Sequence, residues 1–236
     1  MGLPNSDQNN SELETNMRTS QEQSLVDNEQ AKLNSLFGAY PENERHLIFT
    51  QDGMEFIACG KPNPDHQSIL IAGITAMEQR FEKDVITQAF KGVKIYLANG
   101  IASGGGEALP RVDTIILNAE NMGMNVAQME AIASEAGMYR VGDQSDVFGA
   151  DADASEVGFV HELGHILEFR AHLDMGVGFQ TLDSLKSPTW YGQQKPREDY
   201  AESWMFMVYG HSIDQDREAI LQADLKKVAA ANVSRL

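Results

Sequence analysis

The stretch Ser155-Glu156-Val157-Gly158-Phe159-Val160-His161-Glu162-Leu163-Gly164-His165-Ile166-Leu167 decides how the rest of the chain is read. Its apolar residues Val157, Val160, Leu163, Ile166 and Leu167 recur at helical spacing. At about 100° per residue, positions four apart return to nearly the same helical face. His161 and His165 therefore project together, one turn apart, and both imidazoles can reach one tetrahedral zinc ion. Glu162 lies beside them, offset enough to miss the metal yet close enough to touch a water that the metal activates. A carboxylate in that position can take the proton as the water attacks a carbonyl. Two histidines on a helix also occur as ordinary hydrogen-bonded side chains, so a third ligand is the deciding feature.

Downstream of the motif, two common ligand patterns fail. Glu168 and Ala171 stand where one group of peptidases has its glycine and third histidine, and His172 is out of register. Ser184 and Leu185 stand where another group has its glutamate. Farther on, Arg197-Glu198-Asp199-Tyr200-Ala201-Glu202-Ser203-Trp204-Met205 reads as a second helix begun just after Pro196. Glu198 and Glu202 share a face with Ala201 and Met205. Carboxylates on such a face are costly unless paired or bound to metal. One of the two can be the third ligand, and the other can accept a ring N–H from a zinc-bound histidine and fix its tautomer. The same pair would also suit a solvated acidic first turn, which the helix dipole favours.

The run His161-Glu162-Leu163-Gly164-His165, then Tyr191, then Glu198 and Glu202 within Glu198-Asp199-Tyr200-Ala201-Glu202-Ser203, resembles the family of the anthrax lethal factor catalytic domain. It is also similar to the secreted bacterial Pro-Pro endopeptidases of the same group. The resemblance covers roughly residues 156–208. It implies a zincin-like metallopeptidase of the gluzincin type, binding one zinc per chain through His161, His165 and Glu198. Glu162 would be the general base, Tyr191 would stabilise the oxyanion, and Glu202 would support a histidine from behind the metal. Read from its own surroundings, Tyr191 follows Pro188 and Trp190 in a loop where aromatics often simply pack.

Outward from the motif, the chain reads as an α+β domain with a small sheet, the active-site helix as the floor of a cleft, and a helical C-terminal part. His46 to Cys59 suggests two strands around an Asp52-Gly53 turn. Asp65 to Phe90 has helical spacing, over one long helix or two abutting ones. Lys91 to Ala98 and Thr114 to Asn118 suggest further strands, joined by a flexible connection containing Ser103-Gly104-Gly105-Gly106. That glycine run lacks the lysine and the context of a phosphate-binding loop. An extended peptide would lie along an edge strand, for which Thr114 to Asn118 is the candidate. Asn125 to Ala136 and Asp216 to Ala231 read as helices. Asp143, Asp146, Asp151 and Asp153 cluster without calcium-loop spacing. Asp153 and Glu156 read better as the capping pair of the motif helix. His172 and His211 are expected to be structural.

Residues 1–35 are rich in Asn, Gln, Ser and Glu, a composition expected to form a flexible polar tail, with the peptidase domain spanning 36–236. Hydrophobic residues make up 42% of the 236, enough for a core, and no apolar run long enough to span a membrane is present. Cys59 is alone and cannot form an intramolecular disulfide. The net charge of -17 argues against a nucleic-acid partner. The expected partner is a protein or peptide substrate, cut as an endopeptidase would cut it, while oligomeric state stays open. Compartment stays open too: no signal peptide is evident, and the resemblance points toward bacterial secretion. Two alternatives remain, an intracellular regulatory metallopeptidase of another group and a non-catalytic zinc-containing binding module. The intact Glu162 and the absence of cysteine near the motif argue against the second.

Overall fold

The computed structural model describes residues 6–100, 105–135, 139–172 and 187–233. Among them a mixed sheet and nine α-helices form an α+β fold with a helical C-terminal region. Strands β1 (Arg45–Gln51) and β2 (Met54–Cys59) make an antiparallel hairpin. Asp52 and Gly53 turn it with φ of 49° and 75°, the left-handed values that a two-residue hairpin turn requires. Asp52 is buried, and its Oδ1 accepts the Thr87 hydroxyl at 3.0 Å.

The chain then crosses over through α2 (Pro64–Arg80) and α3 (Lys83–Ala89), so the long helical stretch is two helices. Asn63 caps α2 by accepting the Asp65 N–H, with Pro64 in the first turn. Strand β3 (Lys94–Ala98) lies parallel to β2, and β5 (Thr114–Asn118) lies parallel to β3. Between them the sequence hides a further strand, β4 (Gly106–Leu109), antiparallel to β5. The sheet order is β1-β2-β3-β5-β4.

This order corrects one expectation. Thr114 to Asn118 is an interior strand, and the edge on that side is β4. Gly-Glu-Ala-Leu has little strand propensity of its own, so the pairing comes from the open side of β5 rather than from local preference.

Helices α4 (Val126–Glu135), α5 (Ser145–Phe148), α6 (Ala154–His172), α7 (Trp190–Gln194), α8 (Pro196–Val208) and α9 (Gln215–Val233) complete the described chain. One face of the sheet meets α2, α6, α8 and α9 in a core that includes Phe56, Ile95, Leu70, Phe159, Leu163 and Trp204, all fully buried. The opposite face is covered by α1 (Ser6–Ala39), with Leu36 against Tyr96, Leu109 and Ile116. Covering both faces explains why β5 reads as an unbroken apolar run.

Residues 1–35 are expected to form a flexible polar tail, and α1 takes in residues 6–35 of that stretch. The later turns of the helix dock. Leu33, Leu36, Phe37 and Tyr40 form a sparse stripe against the sheet. Arg111, nearly buried, holds Glu29 at 2.8 Å and Glu22 at 2.6 Å. Of this stripe only Leu33 lies within residues 1–35. No described helix is long and apolar enough to cross a membrane.

Candidate metal centre

Helix α6 starts at Asp153, whose Oδ1 accepts the N–H groups of Ser155 at 2.8 Å and Glu156 at 3.2 Å. Glu156 does not reach back to complete a reciprocal cap. Its carboxylate accepts the Tyr209 hydroxyl at 3.1 Å instead, tying the start of α6 to the end of α8.

Helix α8 crosses α6 at Gly164. A Cβ built there would lie 2.7 Å from Ala201 Cα and 3.2 Å from Trp204 Cβ, so only glycine lets the two backbones approach this closely. Glu198 and Glu202 flank Ala201 and are thereby carried to His161 and His165. Glu198 Oε2 lies 3.2 Å from Nε2 of both histidines. One ligand atom from each of the three residues falls within 4.8 Å of the others, making a group that could hold a metal ion.

Behind it, His161 Nδ1 lies 3.1 Å from Glu202 Oε1. That contact sets a carboxylate oxygen behind Nδ1, while the Nε2 edge of the ring faces Glu198 and His165. Glu202 is completely buried, so it is no solvated first-turn acid. Its Oε1 also accepts the Tyr139 hydroxyl at 3.0 Å. Two imidazoles and a carboxylate that converge, with a second carboxylate behind one ring, fit a divalent cation.

The electrostatics agree with that fit. Burial opposes charge on Glu198, yet hydrogen bonds to His161 and His165 hold its carboxyl well below the usual carboxylate range. Burial also opposes charge on His161, but Glu198 and Glu202 raise its pKa well above the ordinary value. The cluster thus favours positive charge at the point where these groups meet.

Glu162 faces the neighbouring cleft. Burial raises its carboxyl pKa; His161 and His165 pull it down, and Glu198 pushes it up again. The backbone of β4 at Ala108 lowers it slightly in turn. Gly105 O accepts Asn118 N–H at 3.0 Å, so alternation turns the backbone groups of Gly106 and Ala108 away from β5 and toward the cleft. Gly106 is also needed for closeness: a Cβ there would meet Leu117 Cδ2 at 2.8 Å and Glu162 Cγ at 3.3 Å.

Tyr191 sits in α7, whose first turn is capped by Thr189 accepting the Gly192 N–H at 3.1 Å. Its ring lies 4.7 Å from that of Tyr139, and its phenol lies within the field of Glu198. Burial first, then the charges of Glu198, Glu202 and Glu162, keep it protonated far above the ordinary tyrosine range. All six residues singled out in the sequence therefore meet in one place. The cavity over them is about 960 Å³ and is bounded by α1, β4 and α4 as well as by α6, α7 and α8.

His172 and His211 stand apart from this cluster. His172 Nε2 lies 3.1 Å from Asp224 Oδ2, which also accepts the Tyr200 hydroxyl at 3.0 Å, a buried knot between α6, α8 and α9. His211 stacks edge-on against Phe148 at 4.9 Å. Sequence reasoning missed Tyr139 and the Ala108 backbone, because neither lies in a run with a recognisable period. Gly164, between Leu163 and His165, was in view, but its close approach to Ala201 is visible only once α8 is in position.

No model of a known protein family matches the chain, and a comparison with curated proteins finds no match.

Proposed function

We propose that this protein is a zinc-dependent endopeptidase, of the kind that the resemblance to the lethal factor and Pro-Pro endopeptidase group implies. The observation that carries the reading is the convergence of His161, His165 and Glu198 donors within 4.8 Å beside a cleft of about 960 Å³. His161, His165 and Glu198 would hold the ion, with Glu202 orienting His161. When bound, zinc supplies a Lewis acid and brings the pKa of water toward neutrality.

The remaining chemistry belongs to the chain's own groups. Glu162, its proton affinity raised by burial, takes a proton from the attacking water and passes it to the leaving amine. Tyr191 carries a phenol that stays protonated and donates to the oxygen on which charge develops, a contribution of several kcal/mol in acyl transfer. The substrate is a peptide in extended form. It pairs with the outward backbone groups of Gly106 and Ala108 on β4, beside Glu162.

The test measures zinc stoichiometry and cleavage of a mixed peptide library for wild type and Glu162→Ala side by side. One zinc in both proteins with cleavage only in wild type supports the peptidase. One zinc with no cleavage in either points to a zinc-containing binding module. Absence of zinc from both, even after adding it back, ends the proposal.

A further inference from the structure

Tyr139 has no part in the motif, yet it touches both sides of the centre. Its hydroxyl donates to Glu202 Oε1 at 3.0 Å, on the oxygen that faces His161 Nδ1. Its ring lies 4.7 Å from Tyr191, tilted by 43°. Burial, followed by the negative charge of Glu202, keeps the phenol protonated, so its O–H is there to donate to the carboxylate oxygen.

The segment that carries it, 139–145, makes two further contacts to the same region. Asp143 Oδ1 accepts the Trp190 N–H at 3.2 Å, and the Arg140 guanidinium stacks 4.8 Å above the Trp190 ring. Tyr191 is the next residue along α7. The segment therefore holds Glu202 by one residue and the Trp190–Tyr191 pair by three.

A loop can position groups only if something fixes the loop. Here that is Glu130 of α4, a carboxylate with 3% exposure. Its Oε2 accepts Gly142 N–H at 2.9 Å and Ser145 Oγ–H at 2.6 Å, and its Oε1 accepts Gln144 N–H at 2.7 Å. The Gly142 φ of 97° turns the backbone so that these donors converge on one side chain.

We propose that Tyr139 is a positioning residue for the metal centre, holding Glu202 against His161 and the Tyr191 ring at the cleft, and that Glu130 is the pin that fixes its loop. This rests on the metal reading of the preceding section. Partners behind metal-bound histidines alter metal affinity on the order of 10- to 100-fold when removed. Tyr139→Phe deletes the hydroxyl and keeps the ring, so it isolates the bond to Glu202 from the contact with Tyr191.

The test measures the zinc dissociation constant by competition with a chromogenic chelator for wild type, Y139F, E202Q and the double variant. It also records the visible spectrum of each protein loaded with Co²⁺. The expected result is a constant about 10-fold weaker in Y139F, with an altered cobalt spectrum and an unchanged melting temperature. Adding Y139F to E202Q should weaken binding little further, because both act through one contact. E130Q, which leaves Tyr139 itself intact, should shift the cobalt spectrum in the same direction and carries the test if Y139F fails to fold. A Y139F protein that binds zinc as wild type does, or effects of Y139F and E202Q that simply add, would overturn the inference. Wild type that binds no zinc would instead overturn the metal reading on which it rests.

Discussion

Glu162 and Glu198 carry the same carboxyl group, and their surroundings drive it in opposite directions. Burial dominates at Glu162, where the histidines only partly offset it. At Glu198 burial again opposes charge, but the hydrogen bonds and charges of His161 and His165 together outweigh it. Titratable neighbours pushed apart in this way divide the roles of proton carrier and ligand between them, which is the division proposed here. Glu130 shows the same physics in a structural setting. Burial opposes its charge, but the N–H groups of Gln144 and Gly142 with the Ser145 hydroxyl outweigh burial and hold its pKa below the usual value. A carboxylate with a depressed folded pKa contributes stability above its unfolded value, near pH 4.3, and that contribution is lost as pH falls through the folded value. Glu130→Gln should therefore melt below wild type at neutral pH, with the gap narrowing as pH drops below about 4. Melting curves from pH 7 to pH 3 check this; a gap that stays constant would show that the carboxylate charge contributes nothing.

Between elements, the crossing of α6 and α8 controls the centre. Two helices approach this closely only where one side chain is missing, and Gly164 supplies the gap opposite Ala201. Gly164→Ala puts a methyl 2.7 Å from backbone, which no side-chain rotation relieves. The expected cost is about 1–3 kcal/mol from overpacking. The helices must also separate, which carries Glu198 and Glu202 away from the histidines, so metal content should fall with stability. Gly158 lies in the same helix with nothing within 4 Å of its Cβ position. Gly158→Ala should gain up to about 1 kcal/mol from helix propensity alone. Urea midpoints and metal content of the two variants, compared with wild type, distinguish a local packing effect from a general response of α6 to alanine.

At the scale of the whole molecule, α1 lies across the sheet face opposite the His161–His165–Glu198 group, and its side chains bound one end of the cleft. We propose that the folded unit begins within α1 rather than after residue 35. Leu36 is the anchor: it is fully buried against Tyr96, Leu109 and Ile116. Leu36→Ala should cost about 2–5 kcal/mol, the range for a leucine removed from a packed core. A change below about 0.5 kcal/mol, the scale of surface substitutions, would show that α1 is not part of the cooperative unit. Lys32 pairs with Glu107 on β4. The edge strand proposed to receive substrate is thus braced on one side by α1 and approached on the other by Glu162.

What the sequence determined by itself is local. The four-residue interval from His161 to His165 put two imidazoles on one helical face, and Asp153 began that helix. Pro196 began α8, and Asp52-Gly53 turned the first hairpin. Each follows from backbone geometry over a few residues, where period and capping chemistry are legible. Tertiary structure decided the rest. From the helix face alone Glu198 and Glu202 were interchangeable as ligand and support, and the family resemblance implied Glu198 as the ligand; the α6–α8 crossing is what turns Glu198 toward both Nε2 atoms and Glu202 toward Nδ1. Gly106 to Leu109 became a strand because β5 offered it a partner, and the thin stripe on α1 docked because the sheet offered an apolar face. Tyr139 joined the centre through a loop pinned by a distant glutamate. These contacts join residues far apart in the chain, and their energies arise from packing and desolvation that exist only once the elements meet, so no local pattern records them.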